Sequence, residues 1–348
     1  MNKKKRILLA PLNWGLGHAT RCIPIAHALE LHGYEVVFAV DGRPLNLLMQ
    51  EFPKHHFIKL PGFEIRYPKN GNMAASMLWQ LPKIIRGIKA ERLALKSIIQ
   101  DFGIDGVISD NRFGLYSKAV PCVFISHQLH IQAPYFQDFI QRMNFKHIKK
   151  FDACWVPDDA NHTLSGKLTS GITTPIPTKY LGTLSRFTIK EKKGNVEVLA
   201  IVSGPEPQRS IFEQKLRSQL KNKKALLVLG KPEKEIAETY GDLRVVSHLN
   251  GEELNQAMVD ADIVISRSGY STIMDLARLG KKAIFIPTPG QTEQTYLAEH
   301  FYNQKIAFAM HQKEMNLELA LENSTSFNGF PPRQDNTEWN SLFKLFEE

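Results

Sequence analysis

Short β-rich runs alternate with helical stretches twice along this chain, and that alternation constrains the fold more than any other feature. In the first half the apolar runs are 7–10, 35–40, 56–60, 106–109, 122–126 and 153–156. In the second they are 196–202, 225–229, 244–246, 263–266, 283–286 and 306–308. Strands separated by helices cannot pair as hairpins, so they form parallel sheets covered on both faces. The 348 residues are enough for two domains at the usual ~100–200 residues each. The expectation is an α/β protein with two doubly wound, Rossmann-like domains, 1–185 and 186–330, followed by a C-terminal helix, 331–348. Trp339, Leu342, Phe343 and Phe346 give that helix an apolar side, which predicts packing back towards the N-terminal domain. Ligands of open α/β sheets bind outside the carboxyl ends of the strands, which predicts a site in a cleft where the two domains face each other.

The charge is uneven. Lys and Arg outnumber Asp and Glu by 23 to 13 over residues 1–185, whereas the counts are 21 and 22 over the remainder. A basic half suits an anionic partner or a solubilising surface. Cys22, Cys122 and Cys154 each lie in or beside an apolar stretch, with no CxxC pair or Cys/His cluster. They read as buried thiols in a reducing compartment, with neither a metal site nor a disulfide framework. The apolar part after MNKKKR stops at Leu12, too short for a signal peptide. These features predict a cytoplasmic protein.

Four stretches carry chemistry. In ILLAPLNWGLGHATR a strand meets a turn with Gly15 and Gly17, then His18 where a helix begins and Arg21 one turn later. Glycines admit a ligand close to the backbone, a helix N-terminus attracts anions, and histidine moves protons near neutral pH. A dinucleotide fingerprint would need a small third residue where Thr20 stands, although Asp41 sits where a ribose-binding acid belongs. In IVISRSGYSTIMDL a strand ends in Arg267, Ser268 and Gly269, and Ser271 and Thr272 open a helix. That junction suits a diphosphate, with Asp275 one turn on as an acceptor for ribose hydroxyls. In IPTPGQTEQTYLA, Gln291, Glu293 and Gln294 offer the mixed donors and acceptors that sugar hydroxyls need. In VSGPEPQR, Gly204 and Arg209 follow the first strand of the second half, where a phosphate is a fitting partner. Two further strand ends, Ser109–Arg112 and Ser126–Gln128, carry Asp110 and His127 as candidate titratable groups. Each residue alone also has a plain structural reading as a cap or core polar group.

Together these motifs resemble the two-domain nucleotide-sugar glycosyltransferases of the GT-B type. The likeness is to family 28, which includes the GlcNAc transferase of peptidoglycan synthesis. Gly15-Leu16-Gly17-His18 resembles that family's first glycine loop, and Ser126-His127-Gln128 resembles, loosely, its His-Glu-Gln-Asn segment. His248-Leu249 falls where the family flanks the uracil. Arg267-Ser268-Gly269 with Ser271, Thr272 and Asp275 resembles its diphosphate and ribose segment, and Glu293-Gln294 its sugar-reading loop. The departures are Ser203-Gly204-Pro205-Glu206-Pro207 in place of a glycine-rich loop, and an acceptor motif that is not intact. The resemblance implies an inverting transferase that takes a UDP-sugar, GlcNAc or a hexose, with His18 as general base; Asp110 and His127 are the other candidates for that role if His18 is structural. The helix start at Ser271-Thr272 and Arg267 would meet the leaving-group charge without a metal or other cofactor. The GxGHxxR form also resembles nucleotide-sugar hydrolases, in which water replaces the acceptor; a non-catalytic sugar-nucleotide sensor is the third reading. No nucleic-acid partner is expected.

One more stretch bears on partners. Met73, Met77, Leu78, Trp79 and Leu81 form an apolar run before Pro82, which suits a helix start. Ile84, Ile88, Leu95 and Ile99 then share one helical face, with Lys83, Arg86, Lys89 and Arg92 away from it. Apolar anchors beside basic residues predict peripheral contact with an anionic inner-membrane leaflet and a lipid-linked acceptor.

Overall fold

The computed structural model describes residues 4–61, 73–131, 137–231 and 234–347; the side chains of residues 73–79 and 81 fall outside that set. The apolar run at Met73–Leu81, on which the membrane expectation chiefly rests, therefore lies outside the described side chains. The chain divides into two compact units. One contains Ala74–Leu184, the segment before residue 62, and the chain from Asp335 onward; the other contains Ser185–Gln334.

The first unit is built on seven strands: β1 Arg6–Pro11, β2 Glu35–Val40, β3 His56–Lys59, β4 Gly106–Asp110, β5 Cys122–Ile125, β6 Ala153–Val156 and β7 Thr178–Tyr180. They pair in parallel in the order β3-β2-β1-β4-β5-β6-β7. Helices α1 (Gly17–Leu31), α2 (Gly42–Glu51), α3 (Met73–Phe102) and α4 (Gln137–Ile148) are the connections. The central strands are buried along nearly their whole length, as continuous apolar runs in a covered parallel sheet should be. Leu8, Val37, Leu95, Val107, Phe124 and Cys154 share one core cluster. The order reverses between β1 and β4, and there the candidate site forms.

The second unit repeats the plan with β8 Val196–Ile201, β9 Ala225–Val228, β10 Ala237–Tyr240, β11 Leu243–Val246, β12 Ala261–Ser266, β13 Lys282–Phe285 and β14 Phe308–Ala309. Their order is β10-β11-β9-β8-β12-β13-β14. Its helices are α5 (Gln208–Leu220), α6 (Gly251–Asp260), α7 (Tyr270–Leu279), α8 (Thr292–Asn303) and α9 (Leu317–Ser324). Strand β10 is antiparallel to β11 across Gly241, which takes φ +60°. Two edge strands, β7 and β10, have no counterpart in the sequence reading, and the last strand begins at Phe308 rather than at 306.

The final helix, α10 (Trp339–Phe343), with the turn after it, belongs to the first unit. Phe343 and Phe346 are buried there, near Tyr34 and Trp155. Lys5 Nζ donates to the carbonyls of Phe346 and Glu347 at 2.7 and 2.8 Å. The three cysteines are free and buried. Among the described residues no helix is long and apolar enough to cross a membrane.

Candidate functional site

At the reversal point of the first sheet, β1 ends at Pro11 directly opposite Asp110 of β4. The chain leaves β1 through a turn in which Gly15 takes φ +82°, a conformation that only glycine adopts freely, and enters α1. That path brings His18, on the first turn of α1, to Asp110. His18 Nδ1 lies 2.9 Å from Asp110 Oδ1, and both side chains are buried. Arg21, one turn along α1, donates from Nε to Asp110 Oδ2 at 2.6 Å and from Nη2 to Asp110 Oδ1. Its Nη1 donates to His127 Nδ1 at 2.8 Å, and its Nη2 is also 2.8 Å from His18 Nδ1. His127 follows β5, the strand next to β4, so three neighbouring strand ends converge. Burial resists the Asp110 charge, but the Arg21 guanidinium with His18 overcomes it and holds the carboxyl well below its usual range. Burial pulls His18 below its ordinary value; Asp110 opposes this, and Arg21 and His127 reinforce it. The imidazole is therefore neutral near pH 7. With its proton on Nδ1, facing Asp110, Nε2 presents a lone pair able to accept a proton.

A second buried ion cluster supports this turn. Arg112 donates from Nε to the Pro11 carbonyl at 2.9 Å, from Nη1 to Glu91 at 2.7 Å, and from Nη2 to Asp41. Asp41 also accepts from Asn13 Nδ2 at 3.0 Å. The acid that could have served a dinucleotide ribose is thus spent on Arg112 and Asn13. Asn111, at φ +60°, turns the chain between Asp110 and Arg112, so each joins a different cluster.

The corresponding reversal in the second unit lies between β8 and β12. Gly204, after β8, takes φ +106°, and a Cβ there would sit 3.3 Å from Thr288 Oγ1 and 3.8 Å from Arg267 Nε. Those two atoms are buried and have no hydrogen-bond partner among the described residues. Helix α7 starts at Tyr270 after Gly269, which has no side chain to cap it, with Ser271 and Thr272 half-buried on its first turn. Ser268 Oγ donates to the Gln294 carbonyl at 2.6 Å, and Thr288 N donates to Gln294 Oε1 at 2.8 Å, tying the α7 and α8 starts together. Gln291 and Glu293 stand half-buried at the α8 start. Two unpaired buried polar atoms beside an uncapped helix N-terminus are chemically suited to an anion.

Known proteins resemble this chain in sequence and in fold. Residues 210–339 match the glycosyltransferase family 28 C-terminal domain. The chain is 26% identical over 343 residues to the UDP-N-acetylglucosamine--N-acetylmuramyl-(pentapeptide) pyrophosphoryl-undecaprenol N-acetylglucosamine transferase of Buchnera aphidicola, covering 94% of this chain and 90% of that protein. The enzyme of the same name from Pasteurella multocida is 25% identical, with the same coverage. Among solved structures, the spinosyn rhamnosyltransferase SpnG superimposes with a TM-score of 0.65 at 14% identity, over 98% of this chain and 95% of that one. MurG of Acinetobacter baumannii superimposes with a TM-score of 0.56 at 14% identity, over 99% of both chains. The chain is a glycosyltransferase of the GT-B fold, and its residues 210–339 match the family 28 C-terminal domain.

Within this glycosyltransferase, several residues singled out from sequence take other positions. Arg267 was expected to face a leaving group; instead it is 1% exposed. Its guanidinium donates to the carbonyls of Ile286, Pro287 and Gln208 and to Gln312, and lies 4.1 Å over the Phe212 ring. Only its Nε is turned towards Gly204. Arg209 is also buried, donating to the Leu229 and Gly230 carbonyls, so it braces the end of β9 rather than facing a phosphate. Asp275 accepts from Ser185 Oγ at 2.5 Å, so one of its two oxygens is already engaged. Burial lifts its pKa to about 6, against the Ser185 hydrogen bond and the Arg186 charge. Gln294 uses its carbonyl and its side-chain oxygen internally. His248 and Leu249 follow β11, two strands from β8, with His248 exposed. The sequence reading assigned no role to Thr288, to Arg21 as the hub of the first site, or to the Arg112 cluster. Arg21 had a usable signal, its i+3 spacing from His18 on one helical face. Thr288 and Arg112 had none, because what each faces, Gly204 for the first and Asp41 and Glu91 for the second, is remote in sequence. Among the described residues no group of three or more His, Cys, Asp or Glu side chains is arranged to hold a metal ion.

Proposed function

We propose that this glycosyltransferase moves a sugar, with inversion, from a UDP-sugar to a hydroxyl of a lipid-linked acceptor. The observation that carries the chemistry is the buried, neutral His18 held at 2.9 Å by an ionised Asp110. In this reading His18 Nε2 takes the acceptor hydroxyl proton, the oxygen attacks the anomeric carbon, and the bond from that carbon to the phosphate oxygen breaks. Asp110 stabilises the resulting imidazolium. The leaving nucleoside diphosphate would lie on the first turn of α7, beside Gly204 and Thr288, where fixed N–H dipoles meet its charge. The names of the Buchnera and Pasteurella relatives support GlcNAc as the sugar and a pyrophosphoryl-polyprenol as the acceptor carrier. A neighbour solved with thymidine diphosphate supports a nucleoside diphosphate in this fold.

The surface of the first unit supports action at the inner face of a membrane. On α3, Ile85 and Leu93 are exposed beside exposed Arg86, Lys89 and Lys96. On α4, Phe139 and Met143 are exposed beside exposed Arg142 and Lys146. Arg92 of α3 and Lys150 just beyond α4 both lie over the Tyr116 ring, at 4.2 and 4.9 Å, so the two helices flank one residue. Apolar anchors among cations suit an anionic leaflet.

The decisive experiment follows radiolabelled UDP-GlcNAc with and without a polyprenyl-pyrophosphate-linked sugar. Label should enter the lipid phase only with acceptor present. His18→Ala should lower turnover about 10²–10⁴-fold, the usual contribution of a general base, with UDP affinity unchanged. Free GlcNAc released at full rate without acceptor would replace transfer with hydrolysis.

A further inference from the structure

A buried carboxylate against a histidine ordinarily favours the charged imidazolium, which has no lone pair to offer. Burial pulls His18 towards the neutral form against Asp110, and a third group beside that carboxylate adds to the pull. Arginine is charged at every accessible pH and presents five N–H donors in a fixed fork. Arg21 spends that fork on Asp110 Oδ2 at 2.6 Å, on Asp110 Oδ1 and on His127 Nδ1 at 2.8 Å, and its Nη2 lies 2.8 Å from His18 Nδ1. Its side chain is 2% exposed, so solvent screens little of this. The groups facing His18 are Arg21 on its own helix, Asp110 from β4 and His127 from the end of β5. Cys22 points at Asp110 from 3.7 Å, and burial keeps its thiol protonated.

We propose that Arg21 is the positioning residue of this site: by pairing with both oxygens of Asp110 it lets that carboxylate orient His18 without leaving a net negative charge beside it. The proposal deepens the general-base reading of His18 given above and rests on it only for its catalytic meaning. The hydrogen-bond pattern adds a consequence. Arginine cannot accept, so His127 Nδ1 must, and the His127 ring proton lies on Nε2. His18 Nδ1 has two neighbours and room for one bond. It either donates to Asp110, which frees Nε2 as a base, or accepts from Arg21, which places its proton on Nε2. Arg21 thereby governs both the charge and the tautomer of the base.

Nuclear magnetic resonance of the full chain, with ¹⁵N- and ¹³C-labelled histidine, tests this without any substrate. His18→Gln assigns the His18 ring signals. In the wild-type chain His18 should stay neutral below the pH at which an ordinary histidine charges. In Arg21→Met the midpoint should move upward, because a lone Asp110 charge then favours the imidazolium. Arg21→Gln, which keeps hydrogen bonding but removes the charge, should move it in the same direction and decides the matter if Arg21→Met does not fold. Dispersed spectra would show that each variant is folded. An unchanged or lowered His18 midpoint in a folded variant overturns the proposal. Failure of UDP-sugar transfer would leave these titrations untouched, so the two readings fall separately. Once turnover is measurable, the acid limb of kcat should shift upward in the same variants while the KM for UDP-sugar holds, a split that loss of fold would not produce.

Discussion

At the scale of single residues, this glycosyltransferase places its charges where burial works hard against them, and partners decide the outcome. Asp275 is the clearest case. Its pKa of about 6 exceeds the ordinary 3.8, so the folded state holds the proton more tightly than the unfolded state does. Stability from this group is therefore full below about pH 4, declines as pH rises to about 6, and is absent above that. Asp275→Asn should raise the thermal midpoint at pH 7.5, with the gain shrinking towards pH 4. If Asp275 also reads ribose, the same variant should bind UDP more weakly by about 1–3 kcal/mol in calorimetry. A variant less stable than wild type at pH 7.5 would contradict the burial argument. Arg112 shows the opposite sign. Arg112→Met would leave Asp41 and Glu91 buried without their cation and should cost about 3–5 kcal/mol in urea unfolding. A loss under about 1 kcal/mol would mean that water reaches the cluster.

At the scale of elements, contacts remote in sequence fix the glycine positions. Gly106 opens β4, and a Cβ there would fall 2.5 Å from Phe346 Cδ1 and 3.0 Å from Ile7 Cδ1. The C-terminal turn thus packs onto a strand about 240 residues earlier because that strand starts with no side chain. Gly106→Ala should destabilise by about 1–3 kcal/mol through overpacking, and Phe346→Ala by about 3–5 kcal/mol through the cavity it leaves. Because the added methyl would occupy part of that cavity, the double variant should lose less than the sum of the two. Strictly additive losses in chemical denaturation would refute this contact. Strands β7 and β10 teach a related lesson. Both lie at sheet edges and have no fully buried residue, so neither needs the apolar run that marks the central strands.

At the scale of the whole molecule, one topology is used twice and its reversal point is filled in two ways. In each unit the strand order reverses between the first and fourth strands of the parallel run, and the turns there carry the glycines and polar groups. The first unit fills its reversal with titratable groups; the second leaves two unpaired buried polar atoms beside a helix start. If that division reflects base and donor sites, UDP alone should slow amide hydrogen exchange in 202–209, 268–272 and 288–294. It should leave 12–21 and 126–130 unchanged. Protection appearing first around His18 would place the nucleotide in the other unit.

The amino-acid sequence determined the parallel core of each sheet, because a strand covered on both faces must be apolar throughout and is therefore visible as a short run. It also determined the glycine turn before His18 and the hydroxyl-rich start of α7, since both are local patterns of backbone and cap. Only the tertiary structure decided which polar side chains serve the site and which serve the scaffold. Arg267 and Arg209 stand in site-like motifs yet spend their donors on carbonyls at the ends of neighbouring strands. Asp41 looks like a ribose acid yet pairs with Arg112, 71 residues away. Asp110, 92 residues from His18, becomes its partner because β1 and β4 lie side by side. The composition of a loop shows which donors and acceptors are at hand, but burial leaves no buried polar group unpaired without cost, and strand order chooses the partner.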